Sequence, residues 1–100
     1  MRLEELIKNL SIALENRNYI QLRYGSDSLE FLPHVLYRET TTAKDILGGY
    51  AVEKGQYFKR LLDIRLILSF KNLGSKFTFN DKCLRILPDT NFEVFCIASE

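Results

Sequence analysis

The sequence LEELIKNLSIALENRNYIQLRY, residues 3–24, contains the change of hydrophobic period that decides the fold. Up to Leu14 the apolar residues recur at spacings of three and four, which places them along one face of a helix. From Ile20 they alternate with polar residues, which is the period of a half-buried strand. Between the two patterns, Asn16-Arg17-Asn18 consists of residues suited to a left-handed turn. The stretch predicts an N-terminal helix within residues 1–18 that leads directly into a β-strand.

A β-hairpin is predicted next. The turn-forming segment Gly25-Ser26-Asp27-Ser28 separates the first strand from a second alternating run, residues 29–37. Pro33 lies inside that run and has no N–H to donate to a ladder, so it predicts an edge position or a β-bulge.

Shorter strands are predicted after a polar loop at residues 40–43. Residues 46–52 read as a third strand, in which Gly48-Gly49 permits a kink or close approach by another backbone. Residues 57–62 read as a fourth strand. Residues 63–70 are either a fifth strand or a helical turn followed by a strand. Short strands joined by tight turns predict a small antiparallel β-barrel over residues 19–100.

The C-terminal part predicts a short helix near residues 81–87 and one further strand. Asn80-Asp81 is a suitable cap for the helix, and Pro88 ends it. Residues 92–98 are apolar at both strand faces, which indicates a central or covered strand.

Composition indicates one globular domain, residues 1–100. Hydrophobic residues make up 46% of the chain and charged residues 27%, as in folded rather than disordered proteins. The 14 basic residues are balanced by 13 acidic ones, so attraction to nucleic acid requires a local patch. Acidic residues near the start do not suit a signal peptide, and no stretch has the roughly 18 apolar residues of a membrane span. We therefore expect a cytoplasmic location, no membrane partner, and reduced, unbridged Cys83 and Cys96.

No catalytic, metal or cofactor site is predicted. The single histidine, His34, follows Pro33 within a strand, and no nucleophile or base stands at a recognisable spacing from it. The favoured interpretation is a histidine half buried at a strand bend, with its ring nitrogens bonded to backbone. Cys83 and Cys96 do not form a zinc pattern with it, and Gly48-Gly49 lacks the context of a phosphate loop.

Two segments mix aromatic and basic side chains. One is Tyr57-Phe58-Lys59-Arg60, followed by Arg65, and the other is residues 19–24 around Arg23. Aromatic rings can stack on bases, and cations can contact phosphates, so these are the components of a nucleotide or single-strand site. The same mixture also arises when core aromatics lie beside solvated charges. Composition alone favours this second interpretation.

The order of these features resembles the WYL domain, a small Sm-like β-barrel of bacterial transcription regulators and some defence-associated proteins. The resemblance covers about two-thirds of the chain. Its segments are the helix–turn–strand of residues 10–24, the proline-centred strand of residues 32–36, residues 44–50 and residues 58–64. In the third segment only Leu47 matches the Trp-Tyr-Leu triplet that names the family, because Asp45 and Ile46 replace the two aromatic residues. The tail from Phe79 is more similar to short, stand-alone relatives than to regulators with a separate DNA-binding domain.

The resemblance implies a ligand-sensing barrel that binds nucleic acid strands or nucleotide-like molecules. It implies that Lys59 and Arg60 contact an anionic backbone, with Arg65 as a further phosphate contact, while His34 and Tyr50 line the pocket. Tyr50 and Tyr57 would supply stacking faces. Because side chains alternate along a strand, Lys59 and Arg60 should point to opposite faces, and Lys59 should share that of Tyr57.

The function predicted from the sequence is a non-catalytic regulatory module that binds a nucleotide or single-stranded nucleic acid. The candidate site residues are Arg23, His34, Tyr50, Tyr57, Lys59, Arg60 and Arg65. The alternative is a protein-interaction module without a small ligand, docking through a strand edge or an apolar face. Its simplest form is a homodimer.

Overall fold

A computed structural model describes residues 3–77 and 92–97 of the chain. In this part the chain forms an N-terminal helix followed by an antiparallel sheet, which confirms the predicted α+β, mainly β, fold class. The elements are α1 Leu3–Asn16, β1 Asn18–Tyr24, β2 Asp27–Glu39, β3 Asp45–Glu53, β4 Gln56–Asp63, a 3-10 turn Ile64–Leu66, β5 Ile67–Lys76 and β6 Phe92–Ile97.

Helix α1 begins and ends where the sequence pattern predicts. Glu4 and Glu5 occupy its first turn, where carboxylates interact favourably with the positive end of the helix dipole. The helix ends at Asn16, and Arg17 then adopts a left-handed backbone conformation with φ of 53°. This conformation reverses the chain at once into β1, as expected from the polar turn.

The sheet has the strand order β4-β3-β2-β1-β5, and β6 also pairs with β2. Strand β2 is long enough to pair with three neighbouring strands. Residues 27–31 pair with β1 and residues 35–39 pair with β6, whereas residues 30–38 pair with β3 along the other edge. Strand β2 is therefore the centre of the fold.

A β-bulge in β2 confirms the irregularity predicted at Pro33. Pro33 lies opposite Gly49, and Val35 lies opposite the preceding residue of β3, so His34 is the extra residue. The extra residue shifts the alternation of side chains by one position. As a result, Leu32 and Val35 belong to the same apolar cluster although three positions separate them.

Two buried clusters lie on the two faces of the sheet. The helix face packs against α1 and includes Leu10, Leu22, Phe31 and Leu62. The other face, called here the outer face, holds a second cluster of Leu32, Val35, Tyr37, Ile46, Tyr50 and Phe77. Because α1 supplies four buried residues to the first cluster, it is a structural part of the domain.

Gly49 allows β2 and β3 to approach closely, as the glycine pair suggests. A Cβ atom built on Gly49 would overlap the carbonyl oxygen of Leu32 and lie 2.7 Å from Cε2 of Phe31. The Phe31 ring thus occupies the space that a side chain would need. Glycine is required at this position by packing.

The sheet curls, but it is not closed into a barrel. Its end strands β4 and β5 are joined by three residues, which brings the end of β4 close to the start of β5. At this corner the Asp63 N–H donates to the Tyr24 hydroxyl (3.2 Å) and the Gly25 N–H donates to the Leu66 carbonyl (3.4 Å). Within residues 3–77 and 92–97, no ladder joins β4 to β5.

The structure also decides between the alternatives for residues 63–70. This segment is a 3-10 turn followed by a strand, and Asp63 caps the turn by accepting a 3.0 Å hydrogen bond from the Arg65 N–H. Strand β6 confirms the predicted final strand. The short helix predicted near residues 81–87 lies outside the described residues, as does Cys83. No helix in the described part of the chain is long and apolar enough to span a membrane.

Candidate functional site

Three strands place polar side chains next to one another at one end of the outer face. Arg23 of β1 lies opposite Ser28 of β2 on one side and opposite Ser69 of β5 on the other. Gln21, two positions earlier in β1, lies opposite Lys71. Residues directly opposite in antiparallel strands project to the same face, so the register collects these five side chains on one surface.

The five side chains line an open groove with a volume of about 340 Å³. Leu22 and Phe70, the residues between them in β1 and β5, also border the groove, although their side chains pack on the helix face. Two lining residues are cations and none is a carboxylate, so the lining carries a net positive charge.

The electrostatics of the groove favour an anion. Arg23 and Lys71 are diagonal neighbours on β1 and β5, a relation that places Cβ atoms within about 7–8 Å. Neither forms an ion pair with a described residue. Glu30, opposite Gln21, is a diagonal neighbour of Arg23 on β2 as Lys71 is on β5, although it does not line the groove. A bound anion would reduce the repulsion between Arg23 and Lys71, which Glu30 offsets in part.

Hydrogen-bond donors dominate the groove. The Arg23 guanidinium and the Lys71 ammonium are donors only, and they suit phosphate or carboxylate oxygens. The Gln21 side-chain amide donates to the Ser28 hydroxyl over 3.4 Å, which leaves the Ser28 hydroxyl proton directed elsewhere. Ser69 adds a second hydroxyl. The arrangement can therefore surround a phosphate with charged and neutral donors.

His34 and Tyr50 meet at the bulge, but both are buried. Their ring centroids lie 5.1 Å apart, and Phe77 stacks on the imidazole at 5.3 Å. The His34 Nδ1–H donates to the Leu32 carbonyl over 2.8 Å, which confirms the predicted backbone bond for one ring nitrogen. His34 is only 4% exposed, so the prediction of a half-buried residue is wrong. Burial lowers the pKa of His34, and the bond to Leu32 partly opposes this shift. Tyr50 is only 6% exposed, so in this structure it offers little ring surface to a base.

The predicted residues of β4 divide between the two faces. Lys59 lies opposite Tyr50 and Tyr57 lies opposite Val52, so both project from the outer face and both are exposed. Arg60 lies opposite Gly49 on the helix face, in agreement with strand alternation. Arg65 is exposed in the 3-10 turn. The cations predicted to act together therefore do not converge on one surface.

Arg23 is separated from this group by the width of the sheet. It lies on β1, whereas Lys59 lies on β4, and the order of strands places β2 and β3 between them. The residues predicted from the sequence thus included Arg23 but not Lys71, Ser69, Ser28 or Gln21. The alternation of Ser69 and Lys71 about Phe70 is the signal that could have identified a polar strand face.

No metal centre is found in the part of the chain that the structure describes, where no three His, Cys, Asp or Glu side chains cluster suitably. Comparison with known proteins gives no match to a protein-family model, to a curated protein or to a solved structure. Function is therefore inferred from the residues themselves.

Proposed function

We propose that this protein is a non-catalytic binding module for a phosphate-bearing ligand, either a nucleotide or a single-stranded nucleic acid. The observation that carries the proposal is the groove between β1, β2 and β5, where Arg23 and Lys71 stand side by side without a carboxylate in the lining. The proposal includes the cytosolic location expected from the sequence.

Phosphate explains the composition of the groove better than a carboxylate ligand does. Phosphate has more acceptor oxygens than a carboxylate, and the groove offers a guanidinium, an ammonium and two serine hydroxyls. The groove is open along the sheet, so a ligand with several phosphates can extend beyond it. This suits a polyphosphate or a strand backbone.

A strand and a mononucleotide would use different parts of the outer face. The register forms a row from Lys71 through Gln21, Glu30 and Val52 to Tyr57. A strand that crosses the sheet along this row would reach the exposed Tyr57 ring and the neighbouring Lys59. A mononucleotide would contact only the groove. Replacing Lys59 by alanine should therefore weaken strand binding and leave mononucleotide binding unchanged.

The proposal also assigns the fold to the Sm-like barrels, in keeping with the resemblance to the WYL domain. Three features support it: the N-terminal helix, the antiparallel order β4-β3-β2-β1-β5, and the short turn that links the two end strands. The bulge at Pro33 supplies the bend that a curled sheet requires.

The test uses fluorescence anisotropy with a labelled oligothymidylate of about 12 nucleotides, and ATP and inorganic triphosphate as competitors. Arg23→Ala/Lys71→Ala should weaken oligonucleotide binding at least about tenfold at low salt. The slope of log affinity against log salt should fall by about 0.7 for each cation that no longer neutralises a phosphate. Lys8→Ala/Lys44→Ala is the matched control, since it removes the same charge from exposed positions elsewhere.

The competitors distinguish the two sources of phosphate. If ATP displaces the labelled oligonucleotide at concentrations near the dissociation constant of ATP, the groove is a nucleotide site. If ATP does not displace the oligonucleotide, the groove is a site for a nucleic acid strand. If inorganic triphosphate, which has no base, is sufficient to displace the oligonucleotide, the protein does not recognise the base. If neither the oligonucleotide nor ATP binds the parent protein at low salt, the proposed function is wrong.

A second candidate function is protein interaction, favoured by exposed apolar side chains in β4, the 3-10 turn and the start of β5. Phe58 is 46% exposed, Leu61 50%, Leu66 53% and Leu68 63%. Exposed apolar side chains that form a contiguous patch are typical of interaction surfaces. Light scattering over a range of concentrations tests the homodimer form of this candidate, which requires a mass that rises with concentration.

A further inference from the structure

Strand β4 is an end strand of the sheet with exposed side chains on both of its faces. Among the described residues it pairs only with β3, and its ladder to β3 is regular over all eight residues. Its second edge therefore carries N–H and C=O groups with which no described strand pairs, and at the end of the strand the Asp63 N–H donates to the Tyr24 hydroxyl. Such an edge is a template for another strand.

The side chains of β4 place one cation on each face of the sheet. On the outer face Lys59 stands between Tyr57 and Leu61, and on the helix face Arg60 follows Phe58. Tyr57 is 37% exposed, and Phe58 and Leu61 are exposed by about half. The outer face thus offers a cation with exposed apolar residues on both sides, whereas on the helix face only Phe58 is exposed beside Arg60, because Leu62 is buried.

The two cations lack partners within the described residues. Arg38–Asp45 is the ion pair found there, and neither Lys59 nor Arg60 lies within 4 Å of a described carboxylate oxygen. Positive charge in the middle of an edge strand is a common protection against self-association. It protects only against strands that are neutral or positive, and it attracts a strand that carries carboxylates.

A second copy of this chain is a poor occupant of the edge. Two β4 strands paired about a two-fold axis would bring Lys59 and Arg60 of one copy against those of the other. Strand β5, a second end strand, contains Lys71 and Lys76 and no acidic residue. Strand β6, which among the described strands pairs only with β2, contains one acidic residue, Glu93, so it could oppose only one of the two cations of β4. Like charges in directly opposite positions destabilise strand pairs.

We propose that this edge of β4, with which no described strand pairs, binds an extended acidic segment of another protein by strand addition. The segment carries two adjacent carboxylate residues, one opposite Lys59 and one opposite Arg60, with apolar residues on either side of the pair. This site is distinct from the groove between β1, β2 and β5, because two strands of the sheet separate β4 from β1, although a nucleic acid strand that crosses the outer face would share Lys59 with it.

The test uses a synthetic peptide, acetyl-Gly-Ser-Val-Val-Glu-Glu-Val-Val-Ser-Gly-amide, with a fluorescent label. The full chain should bind it, and Lys59→Glu/Arg60→Glu should weaken binding about tenfold. A peptide with Lys-Lys in place of Glu-Glu should bind the charge-reversed variant better than the parent. Lys8→Glu/Lys44→Glu is the matched control and should bind the acidic peptide within about threefold of the parent. Failure of this reciprocal exchange overturns the proposal.

Strand addition is separated from simple charge attraction by methylating the peptide backbone. Two peptides are made, each with N-methyl groups on alternate residues, so that each lacks the donors of one edge while keeping all its charges. One should bind at least about tenfold more weakly and the other should change little, because only one edge faces β4. Equal affinities of the two methylated peptides, or peptide binding that requires dimerisation of the protein, would show the proposal to be wrong.

Discussion

Leu22 and Arg23 are adjacent in β1, yet they belong to regions of opposite character. Leu22 is 1% exposed in the cluster that α1 covers, whereas Arg23 is exposed at the groove on the outer face. The helix face is closed by the chain itself, so its residues are explained by packing. At the groove, packing explains neither Arg23 nor Lys71. The helix face therefore stabilises the fold, and the groove is the region that we propose binds a ligand.

Loss of apolar volume on the helix face should have the largest effect. Leu10 is fully buried between α1 and the sheet, so Leu10→Ala should reduce the free energy of unfolding by about 2–5 kcal/mol. Chemical denaturation measures this change. A loss of unfolding free energy below about 0.5 kcal/mol would mean that α1 does not pack stably against the sheet. The helix face would then not be the core.

Addition of volume at the contact of β2 and β3 should have a smaller effect. Gly49→Ala places a methyl group against the Leu32 carbonyl and the Phe31 ring, so the strands must move apart. We expect a loss of about 1–3 kcal/mol, since overpacking in a well-packed core costs that much. Gly74→Ala is a poor control because of its positive φ, whereas Ser69→Ala changes an exposed strand position and should cost under about 0.5 kcal/mol. Equal losses for Gly49→Ala and Ser69→Ala would contradict the close approach.

A still smaller effect, dependent on pH, is expected at the buried part of the outer face. Burial lowers the pKa of His34 in the folded protein below its usual value of 6.5. The unfolded state therefore binds a proton more readily, and stability should be complete above pH 6.5 and decline as the pH falls below it. His34→Asn retains a donor for the Leu32 carbonyl but does not titrate.

The measurement is the free energy of unfolding of both proteins between about pH 7.5 and pH 5. The parent should lose stability across this range, and the variant should lose less. Parallel curves for the two proteins would show that His34 remains accessible to protons when folded, contrary to its burial beside Tyr50 and Phe77.

The sequence contained much of the fold because its decisive signals are local. The spacing of leucines predicts α1, the alternation after Ile20 predicts β1, and Pro33 predicts the bulge. The pairing of β5 with β1 depends on a register between distant segments, which no local pattern specifies. For this reason Arg23 was identified as a candidate while Lys71, its neighbour in the groove, was not.

The same limitation applies to Tyr50. Its place between Gly49 and Ala51 indicates a strand but does not reveal that His34 and Phe77 enclose it. The sequence correctly predicted that Lys59 and Arg60 project to opposite faces of the sheet, because the alternation of side chains along a strand is a local rule. The sequence therefore predicts well to which face of the sheet a side chain projects. It predicts less well which other residues cover that face.

The most direct test of the account maps an anion onto the outer face by NMR. Inorganic triphosphate is titrated into the isotope-labelled protein, and backbone amide shifts are followed in two-dimensional spectra. The proposed site predicts that the largest shifts cluster at Arg23, Ser69 and Lys71, and that Arg23→Ala/Lys71→Ala abolishes them. Shifts centred on Lys59 and Arg60, or shifts that persist in the double variant, would contradict the claim that the groove binds phosphate.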